Sequence, residues 1–401
     1  MRIIFLYMLT CCLFSCDNKK PAEYETPSPS DALNYIEQLT DANDGTTNPV
    51  FCEQIFLPQA KDKYVTMLDA FYVGRDAPPL VVSKYRQLFE RSYAAKIANS
   101  KISLMQNKKI SSKFLLQQKV NGPNAHRVKV TIEPTAYDYK QNQVYVDFAN
   151  RFIGGGVLWG GFVQEELEML VGTFLPYIAQ VRKTNKSSVD FCPEVDLINL
   201  DTTPALIEMR IFLDMHLQGI YGDRPTIYKN PGLLTDLNIG SYYTVKNAPV
   251  DIFTIAVAAT NFNAPGPREY SVREIADMTM AAAKGFYLAI EKLDKENLPI
   301  IINTGNWGAG VFANSIYMAY AMQYFAIVAA TELYVKNHPS FNRDIQYVYN
   351  AFDAESVDMA KSAKASLDSW VTSKAPAALT VKEAIFFMYE QSKRDPLWRK
   401  S

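Results

Sequence analysis

The stretch VYVDFANRFIGGGVLWGGFVQEELEML, residues 144–170, combines three local patterns. VYVDFA alternates side chains with the two-residue period of a β-strand. Three consecutive glycines, Gly154–Gly156, follow this run, and a helical pattern begins after a second glycine pair, with Leu167 and Leu170 on one stripe. A strand that ends in such a loop delivers it to the carboxyl edge of a sheet, where ligands bind in open α/β folds.

The loop and the first helical turn together suggest a ligand site. Glycines allow positive φ and let a phosphate or a sugar approach the backbone amides. Glu165 and Glu166 lie in the first helical turn, where acids stabilise the helix dipole by about 0.3 to 1 kcal/mol, and this structural role is one interpretation. In the other interpretation the two side chains, which point about 100° apart around the helix, have different roles at one ligand. One binds hydroxyl groups and the other acts as an acid or base.

Further along the chain, strand and helix patterns alternate. The predicted strands are RVKVTIEP (127–134), VDIFTIAVAA (250–259), LPIIINTG (298–305) and DIQYVYNAF (344–352), and residues 272–293 form an amphipathic helix. Residues 31–121, by contrast, show helical periodicity and few strand signals, which predicts a helical accessory region. The fold class is therefore α/β, a layered domain over residues 122–401 with a largely buried sheet.

Composition and charge limit the possible functions. The 401 residues are 48% hydrophobic and 21% charged, which is typical of a globular protein. The net charge of −1 comes from 41 basic and 42 acidic residues without long runs of either sign, which argues against nucleic acid as a partner. Any polyanionic ligand must therefore be bound by local features.

The amino terminus has the features of an export signal. Arg2 precedes the apolar run IIFLYMLTCCLF, which is too short to span a bilayer as a helix. LFSC follows and resembles the lipobox of bacterial lipoproteins, which implies a signal peptide over residues 1–16 and lipidation of Cys16. Residues 17–30 are polar and rich in proline and serine, as in a flexible tether. We expect an exported, membrane-anchored lipoprotein, at the periplasmic face or the cell surface, with an ordinary secreted chain as the alternative.

Cysteine and histidine usage bears on redox state and metals. After processing, Cys52 and Cys192 remain, either as a disulfide or as two separate thiols. The three histidines, His126, His216 and His338, are far from each other and from the cysteines in sequence. Neither a metal site nor a Ser-His-Asp triad is predicted.

The quoted stretch resembles the signature of the poly(ADP-ribose) glycohydrolase family. That signature is a Phe-Ala-Asn segment, three glycines, a spacer of six to eight residues and Gln-Glu-Glu; the spacer here is VLWGGFV. INTGNWGAGVF, residues 302–312, is similar to the family's second, diphosphate-binding loop, and YVYNAFD, residues 347–353, is similar to the segment that places an aromatic ring on adenine. The resemblance runs from about 143 to 353 and implies a macrodomain-like three-layer α/β/α fold with a mixed sheet.

The resemblance also implies roles for individual residues. Glu166 is the expected acid/base and Glu165 the expected ligand of ribose hydroxyls, helped by Asp147 and Asn150. Further residues are expected to bind substrate: Gln164, Gly154, Gly155 and Gly156 at the ribose; Gly305, Asn306, Trp307, Gly308 and Gly310 at the diphosphate; Phe312 at the terminal ribose; Phe352 at adenine. Tyr242, or its neighbour Tyr243, is expected to cover the ligand. The implied partner is poly(ADP-ribose) or ADP-ribose, bound by a monomer without a cofactor.

The second loop departs from the family pattern. Where the family continues with Gly-Gly-Asp, this chain has Ala313, Asn314 and Ser315. We expect the loss of two glycines to narrow the diphosphate site and to affect affinity more than chemistry.

Three other interpretations remain. GAGVFA, residues 308–313, fits the fingerprint of nicotinamide dinucleotide folds. However, the acid expected about 20 residues later is matched only by Asp353, forty residues after Ala313. The second alternative is a lipoprotein that binds ADP-ribose without cleaving it, and the third is a surface lipoprotein for unrelated glycans.

Overall fold

The computed structural model describes residues 49–69, 80–108, 110–159, 163–215, 243–262, 268–310 and 312–400. The predicted signal peptide, the tether, Cys16 and Tyr242 lie outside these ranges.

One mixed sheet organises the described residues. Its eight strands are β1 (Val50–Ile55), β2 (Lys101–Gln106), β3 (Val128–Glu133), β4 (Val144–Ala149), β5 (Ala205–Met215), β6 (Tyr243–Ala258), β7 (Ile301–Gly305) and β8 (Ile345–Asn350). Their order across the sheet is β1-β2-β5-β6-β4-β7-β8-β3. The pairs from β1 to β6 are antiparallel, and those from β6 to β3 are parallel.

Helices cover both faces of this sheet. They are α1 (Lys61–Asp69), α2 (Leu80–Ser92), α3 (Ser112–Leu116), α4 (Gln164–Val171), α5 (Leu175–Thr184), α6 (Val272–Lys295), α7 (Ile316–Asn337), α8 (Ala354–Lys374) and α9 (Val381–Arg394). A π-helix over Tyr93–Ile97 continues α2. Helices α3 and α6 to α9 pack in one hydrophobic cluster, and α1, α2, α4 and α5 pack in the other.

Alternation along β4 shows how the two clusters share the sheet. Val144 and Val146 belong to the cluster of α6 and α7, whereas Tyr145 and Ala149 belong to the cluster of α4 and α5. Successive side chains of a strand point to opposite faces, so both faces of the sheet are buried here. The expected fold class, three layers around a mixed sheet, is confirmed.

The carboxyl ends of the parallel strands meet at one edge. Ala149 of β4 pairs with Ala258 of β6, and Gly305 of β7 pairs with Asn350 of β8. Because β4 and β7 are neighbours, the glycine loop and the second loop leave from adjacent strands. A Cβ atom on Gly305 would lie 3.4 Å from the Phe148 ring. The predicted delivery of both loops to one edge is confirmed.

The region before residue 121 is not purely helical, and that expectation is wrong for its described part. Strands β1 and β2 extend the sheet through β5, and α1 and α2 pack on it. The two missed strands, VFCEQI and KISLMQ, contain Glu, Gln, Lys and Ser, so the β-branched and aromatic residues that mark a strand are few in them. The prediction also lacked β5, whose pattern is interrupted by Glu208, a buried residue paired with Lys101 and Lys292.

Two further features concern covalent cross-linking and membrane spans. Cys52 of β1 and Cys192 are disulfide-bonded, with Cα atoms 5.5 Å apart, so the first of the two cysteine alternatives holds. Among the described residues, no helix has the length and apolar character needed to cross a membrane.

Candidate active site

The two glutamates of the motif converge on one glycine. Gly155 has φ +45°, and a Cβ atom there would lie 2.6 Å from Glu165 Oε2 and 3.2 Å from Glu166 Oε1. An L side chain rarely adopts this backbone conformation, and no space exists for one. Both carboxyl groups therefore flank a backbone from which side chains are excluded.

Backbone amides hold each carboxyl group in place. Glu165 Oε2 accepts a hydrogen bond from the Asn150 amide at 2.7 Å. Glu166 accepts from the Gly156 amide at 2.8 Å and from the Val163 amide at 2.7 Å. Val163 is the residue before α4, so Glu166 ties the start of the helix to the glycine loop. Glu166, 9% exposed, is the more accessible of the pair, since Glu165 is 1% exposed.

The glycine loop is also held from behind by Arg182. This residue of α5 donates from Nη2 to the carbonyl oxygens of Gly155 at 3.0 Å and Ile153 at 3.4 Å. Burial lowers the pKa of Arg182, and the charge of Glu165 opposes that shift. Nothing in the sequence singles out Arg182, because the last turn of a helix commonly carries basic residues for the helix dipole alone.

Gly154 supports the loop in a different way. Its φ is +80°, and a Cβ atom would lie 2.8 Å from two side-chain atoms of Ile178. The predicted glycine floor thus needs glycine at Gly154 and Gly155, whereas Gly156 contributes its amide to Glu166.

Two further acids complete a cluster that we call the carboxyl cluster: Asp147, Glu165, Glu166 and Glu168. Asp147 and Glu168 are both 0% exposed. Within the described residues, neither oxygen of Asp147 has a hydrogen-bond partner. The predicted contact of Asp147 with ribose stays a prediction. Its complete burial makes Asp147 an internal neighbour of the glutamates in this structure.

The environment raises the pKa of three carboxyl groups of the cluster. Burial raises the pKa of Asp147 well above its usual value, and the charges of Glu165, Glu168 and Glu166 add to the shift. Burial and then the charge of Glu166 raise the pKa of Glu165. Burial raises the pKa of Glu168 to about 7, against hydrogen bonds from Thr254, Gln164 and Tyr139 that lower it. Burial away from water is thus the largest cause of all three shifts.

Stability measured against pH tests the raised pKa of Glu168. The folded protein binds the proton of Glu168 more tightly than the unfolded chain does. The stability that this proton contributes is therefore complete below the ordinary pKa of 4.5 and is lost as the pH rises through about 7. Glu168→Gln stays neutral throughout. We expect the variant to gain up to about 3 kcal/mol relative to the wild type between pH 4.5 and pH 8. Urea unfolding at both ends of that window measures the difference, and a constant difference contradicts the prediction.

Gln164 makes its contacts inside the protein. Its Oε1 accepts from the Phe148 amide at 2.9 Å, and its Nε2 donates to Glu168. The side-chain amide is thus engaged within the protein at both ends. The ligand contact expected for Gln164 stays a prediction.

The second loop follows β7 and precedes α7. A Cβ atom on Gly305 would lie 2.3 Å from the Asn350 carbonyl oxygen, and Gly308 has φ +69°. Asn306 donates to the Ala351 carbonyl oxygen and accepts from the Tyr349 hydroxyl, both at 3.0 Å. By contrast, apart from the chain neighbours of Gly310, no atom of a described residue lies within 4 Å of a Cβ position there.

The predicted aromatic residues have different environments. Trp307 is fully buried and donates from Nε1 to the Val257 carbonyl oxygen at 3.3 Å, so its side chain belongs to the core. Any diphosphate contact there falls to the backbone. Phe312 is half-buried, and its carbonyl oxygen accepts from the Phe262 amide at 3.0 Å. Phe352 follows β8, is 49% exposed and has φ +72°.

Tyr243 is poorly placed to cover the ligand. It is buried and begins β6, whose other end, Ala258, lies at the carboxyl edge. The strand starts seven residues earlier than the predicted run over 250–259, which carries Tyr243 away from the glutamates. This placement argues against Tyr243, and Tyr242 lies outside the described residues.

The residues that depart from the family pattern anchor the second loop. Asn314 is buried, donates to the carbonyl oxygens of Thr260 and Gly308 at 3.1 and 3.3 Å, and accepts from Tyr270. Ser315 is the N-cap of α7 and accepts from the Met318 amide. Both replacements therefore support the start of α7, in addition to any effect on ligand affinity.

Ala313 carries the strain of this departure. It keeps φ +59°, a left-handed conformation that costs an L residue about 1 kcal/mol or more. We expect Ala313→Gly to raise the free energy of unfolding by about 0.5 to 1 kcal/mol, because relief of strain exceeds the entropy that glycine adds to the unfolded chain. Urea denaturation measures this, and a destabilised variant contradicts it.

Comparison with known proteins supports the predicted family over the first loop. Residues 116–175 match the family model described as poly(ADP-ribose) glycohydrolase (PARG), macro domain fold. This segment carries the poly(ADP-ribose) glycohydrolase signature. It includes the strand β4, the glycine loop and the carboxyl cluster. The predicted resemblance to this glycoside hydrolase family is thus confirmed for these residues, whereas the second loop lies beyond the match.

Solved structures of the same family are also similar to this chain. Poly(ADP-ribose) glycohydrolase from Thermomonospora curvata is 14% identical over 76% of this chain and 98% of its own, with a TM-score of 0.36. The structure of the same enzyme bound to the inhibitor ADP-HPD is 15% identical over 77% of this chain and 98% of its own, with a TM-score of 0.37. The enzyme from Deinococcus radiodurans in complex with ADP-ribose is 14% identical over 64% of this chain and 90% of its own, with a TM-score of 0.35. With TM-scores below 0.5, these similarities carry no argument about the site.

Proposed function

We propose that the protein is a glycohydrolase that cleaves the ribose–ribose O-glycosidic bonds of poly(ADP-ribose) and releases ADP-ribose. The observation that carries the proposal is the convergence of Glu165 and Glu166 on Gly155. Only a residue without a side chain lets both carboxyl groups lie against the loop, so Gly155 fixes the positions of the two groups relative to each other. The family match over residues 116–175 gives the substrate class.

The proposed chemistry needs one carboxyl group that exchanges a proton. Glu166 protonates the departing ribose oxygen while the ring acquires oxocarbenium character, and it then deprotonates the attacking water. The substrate's own diphosphate, bound by the second loop, stabilises the developing cation. Glu165 orients the ribose hydroxyls, and the Asn150 amide holds one of its oxygens in place at 2.7 Å.

Electrostatics act on the partner of Glu166. Burial and the charge of Glu166 raise the pKa of Glu165, and the charge of Arg182 opposes that shift. The proposed mechanism requires Glu166 to carry a proton when the substrate binds, which is the usual form of a glycosidase general acid.

Release of product separates this proposal from the alternatives. The full-length chain, purified in detergent, is incubated with poly(ADP-ribose), and the products are separated by chromatography. We expect free ADP-ribose to accumulate. Tight binding of ADP-ribose without release favours the non-catalytic binder, for which the altered residues Ala313, Asn314 and Ser315 are the motivation. If the protein neither binds nor releases ADP-ribose, the lipoprotein for unrelated glycans is favoured.

The cellular setting stays a prediction. Anchoring through a lipid on Cys16, export and a monomeric state are expectations from the sequence. Labelling of the protein in cells with a radioactive or clickable fatty acid, compared with Cys16→Ser, tests the anchor.

A further inference from the structure

A glutamate outside the Gln-Glu-Glu motif lies at the centre of the hydrogen bonds that hold α4. Glu168 is 0% exposed. Its Oε1 accepts from Thr254 Oγ1 at 2.7 Å, and its Oε2 accepts from Gln164 Nε2. The Tyr139 side chain is a third hydrogen-bond partner. All of these contacts are internal, so Glu168 has no direct access to a ligand.

Gln164 extends these contacts to the neighbouring strand. The Phe148 amide can only donate, so Gln164 must present its oxygen to it, at 2.9 Å. The nitrogen of Gln164 must then donate, and Glu168 is its acceptor. The resulting chain of hydrogen bonds runs from Thr254 on β6 through Glu168 and Gln164 to Phe148 on β4. It attaches the first turn of α4 to two adjacent strands.

This attachment determines where the motif glutamates point. Side chains project from a helix at about 100° intervals, so the rotation of α4 sets the directions of Glu165 and Glu166 together. The residue before the helix, Val163, offers no side-chain hydrogen bond that would fix the first turn. Glu165 and Glu166 themselves are bound by amides of loop residues. The Phe148 amide binds Gln164 of this turn directly, and the Glu168 contacts orient Gln164 and add a second link to the sheet, through Thr254 of β6.

We propose that Glu168 is a positioning residue for the reaction: through Thr254 and Gln164 it fixes the rotation of α4 that brings Glu165 and Glu166 to Gly155. This inference rests on the proposed glycohydrolase function. It adds a residue that the sequence motif does not contain.

Steady-state kinetics of paired variants test the positioning role. We expect Glu168→Leu to lower kcat about 10- to 100-fold while KM for poly(ADP-ribose) changes less than about threefold, because the glycine loops are left intact. Glu168→Gln should recover most of the lost kcat. Its amide oxygen can accept from Gln164, and its nitrogen can donate to the Thr254 hydroxyl.

A matched control separates positioning from general stability. Glu332 is also buried and accepts from the Asn124 amide at 2.7 Å and from Asn124 Nδ2 at 3.0 Å. It lies sixteen residues into α7, about 24 Å along the helix from its start. Glu332→Leu should lose stability and keep kcat. Thr254→Val provides a milder second variant, for which we expect a drop in kcat of about 3- to 10-fold, should Glu168→Leu fail to fold.

The outcomes distinguish this inference from the function on which it rests. If the wild type releases no ADP-ribose, the proposed function fails and the inference fails with it. If the wild type is active but Glu168→Leu keeps as much kcat as Glu332→Leu, only the positioning role is rejected. Equal kcat for Glu168→Gln and Glu168→Leu also rejects it, since the hydrogen-bond acceptor would then have no effect. A normal kcat for Thr254→Val rejects the part assigned to β6.

Discussion

Glu166→Gln is expected to lower the rate of ADP-ribose release by roughly 10²- to 10⁴-fold, the usual contribution of a positioned general acid or base. The amide cannot protonate the leaving ribose oxygen or deprotonate water. Binding of ADP-ribose should persist, because the glycine loops and Glu165 are unchanged. Single-turnover assays with poly(ADP-ribose) and calorimetry with ADP-ribose measure the two effects separately.

Glu166→Gln also has a structural cost. Glu166 accepts hydrogen bonds from two backbone amides, one on each oxygen, and an amide nitrogen in place of one oxygen leaves one of those donors unpaired, at about 1 to 3 kcal/mol. Glu383 occupies the equivalent third position of α9 and accepts from the Thr380 amide at 2.7 Å with one oxygen, so Glu383→Gln controls for the loss of a negative charge in a first helical turn. It should keep full activity with a small loss of stability. Equal release of ADP-ribose by the wild type and by Glu166→Gln would reject the assigned mechanism.

The site could be predicted from sequence where its parts are close together in the chain. Gly155 and Glu165 are ten residues apart, and the strand, loop and helix between 144 and 171 appear as three successive local patterns. The carboxyl edge follows from the parallel strands in the same way. For this reason the convergence of the glutamates on the glycine loop was foreseeable.

Residues that act from a distance were not foreseeable. Arg182 reaches Gly155 across 27 positions, and Thr254 reaches Glu168 across 86. Only the fold brings these partners together. The structure explains Glu168 in hindsight. Every residue of α4 from Glu165 to Val171 is buried, and a glutamate within a fully buried helix requires hydrogen-bond partners.

The second loop shows a different limit of sequence. Its resemblance to a diphosphate-binding loop indicated the correct position at the sheet edge but could not show which atoms are free. Trp307 looks like a binding residue in the motif, yet its side chain lies in the core. Asn314 and Ser315 look like losses from the family pattern, yet they form hydrogen bonds that hold the loop.

Gly155→Ala is expected to have the second-largest effect. At φ +45° the new side chain costs about 1 to 2 kcal/mol in backbone strain, and its Cβ would overlap Glu165 Oε2 at 2.6 Å. Glu165 must then move away from Asn150, and Glu166, at 3.2 Å, is crowded as well. A displacement of about 1 Å at a reacting group lowers the rate about 100-fold. We therefore expect at least that loss in kcat, with a fall of about 2 to 4 kcal/mol in the free energy of unfolding.

Asn297→Ala separates strain from displacement. Asn297 has φ +54° just beyond the end of α6. Alanine there imposes similar backbone strain but displaces no member of the carboxyl cluster. Its unfolding free energy should fall by about 1 kcal/mol and its kcat should be unchanged. If Gly155→Ala lost no more activity than Asn297→Ala, the close approach of both glutamates to Gly155 would have no role in catalysis. The proposed active site rests on that approach, because only a residue without a side chain lets both carboxyl groups lie against the loop.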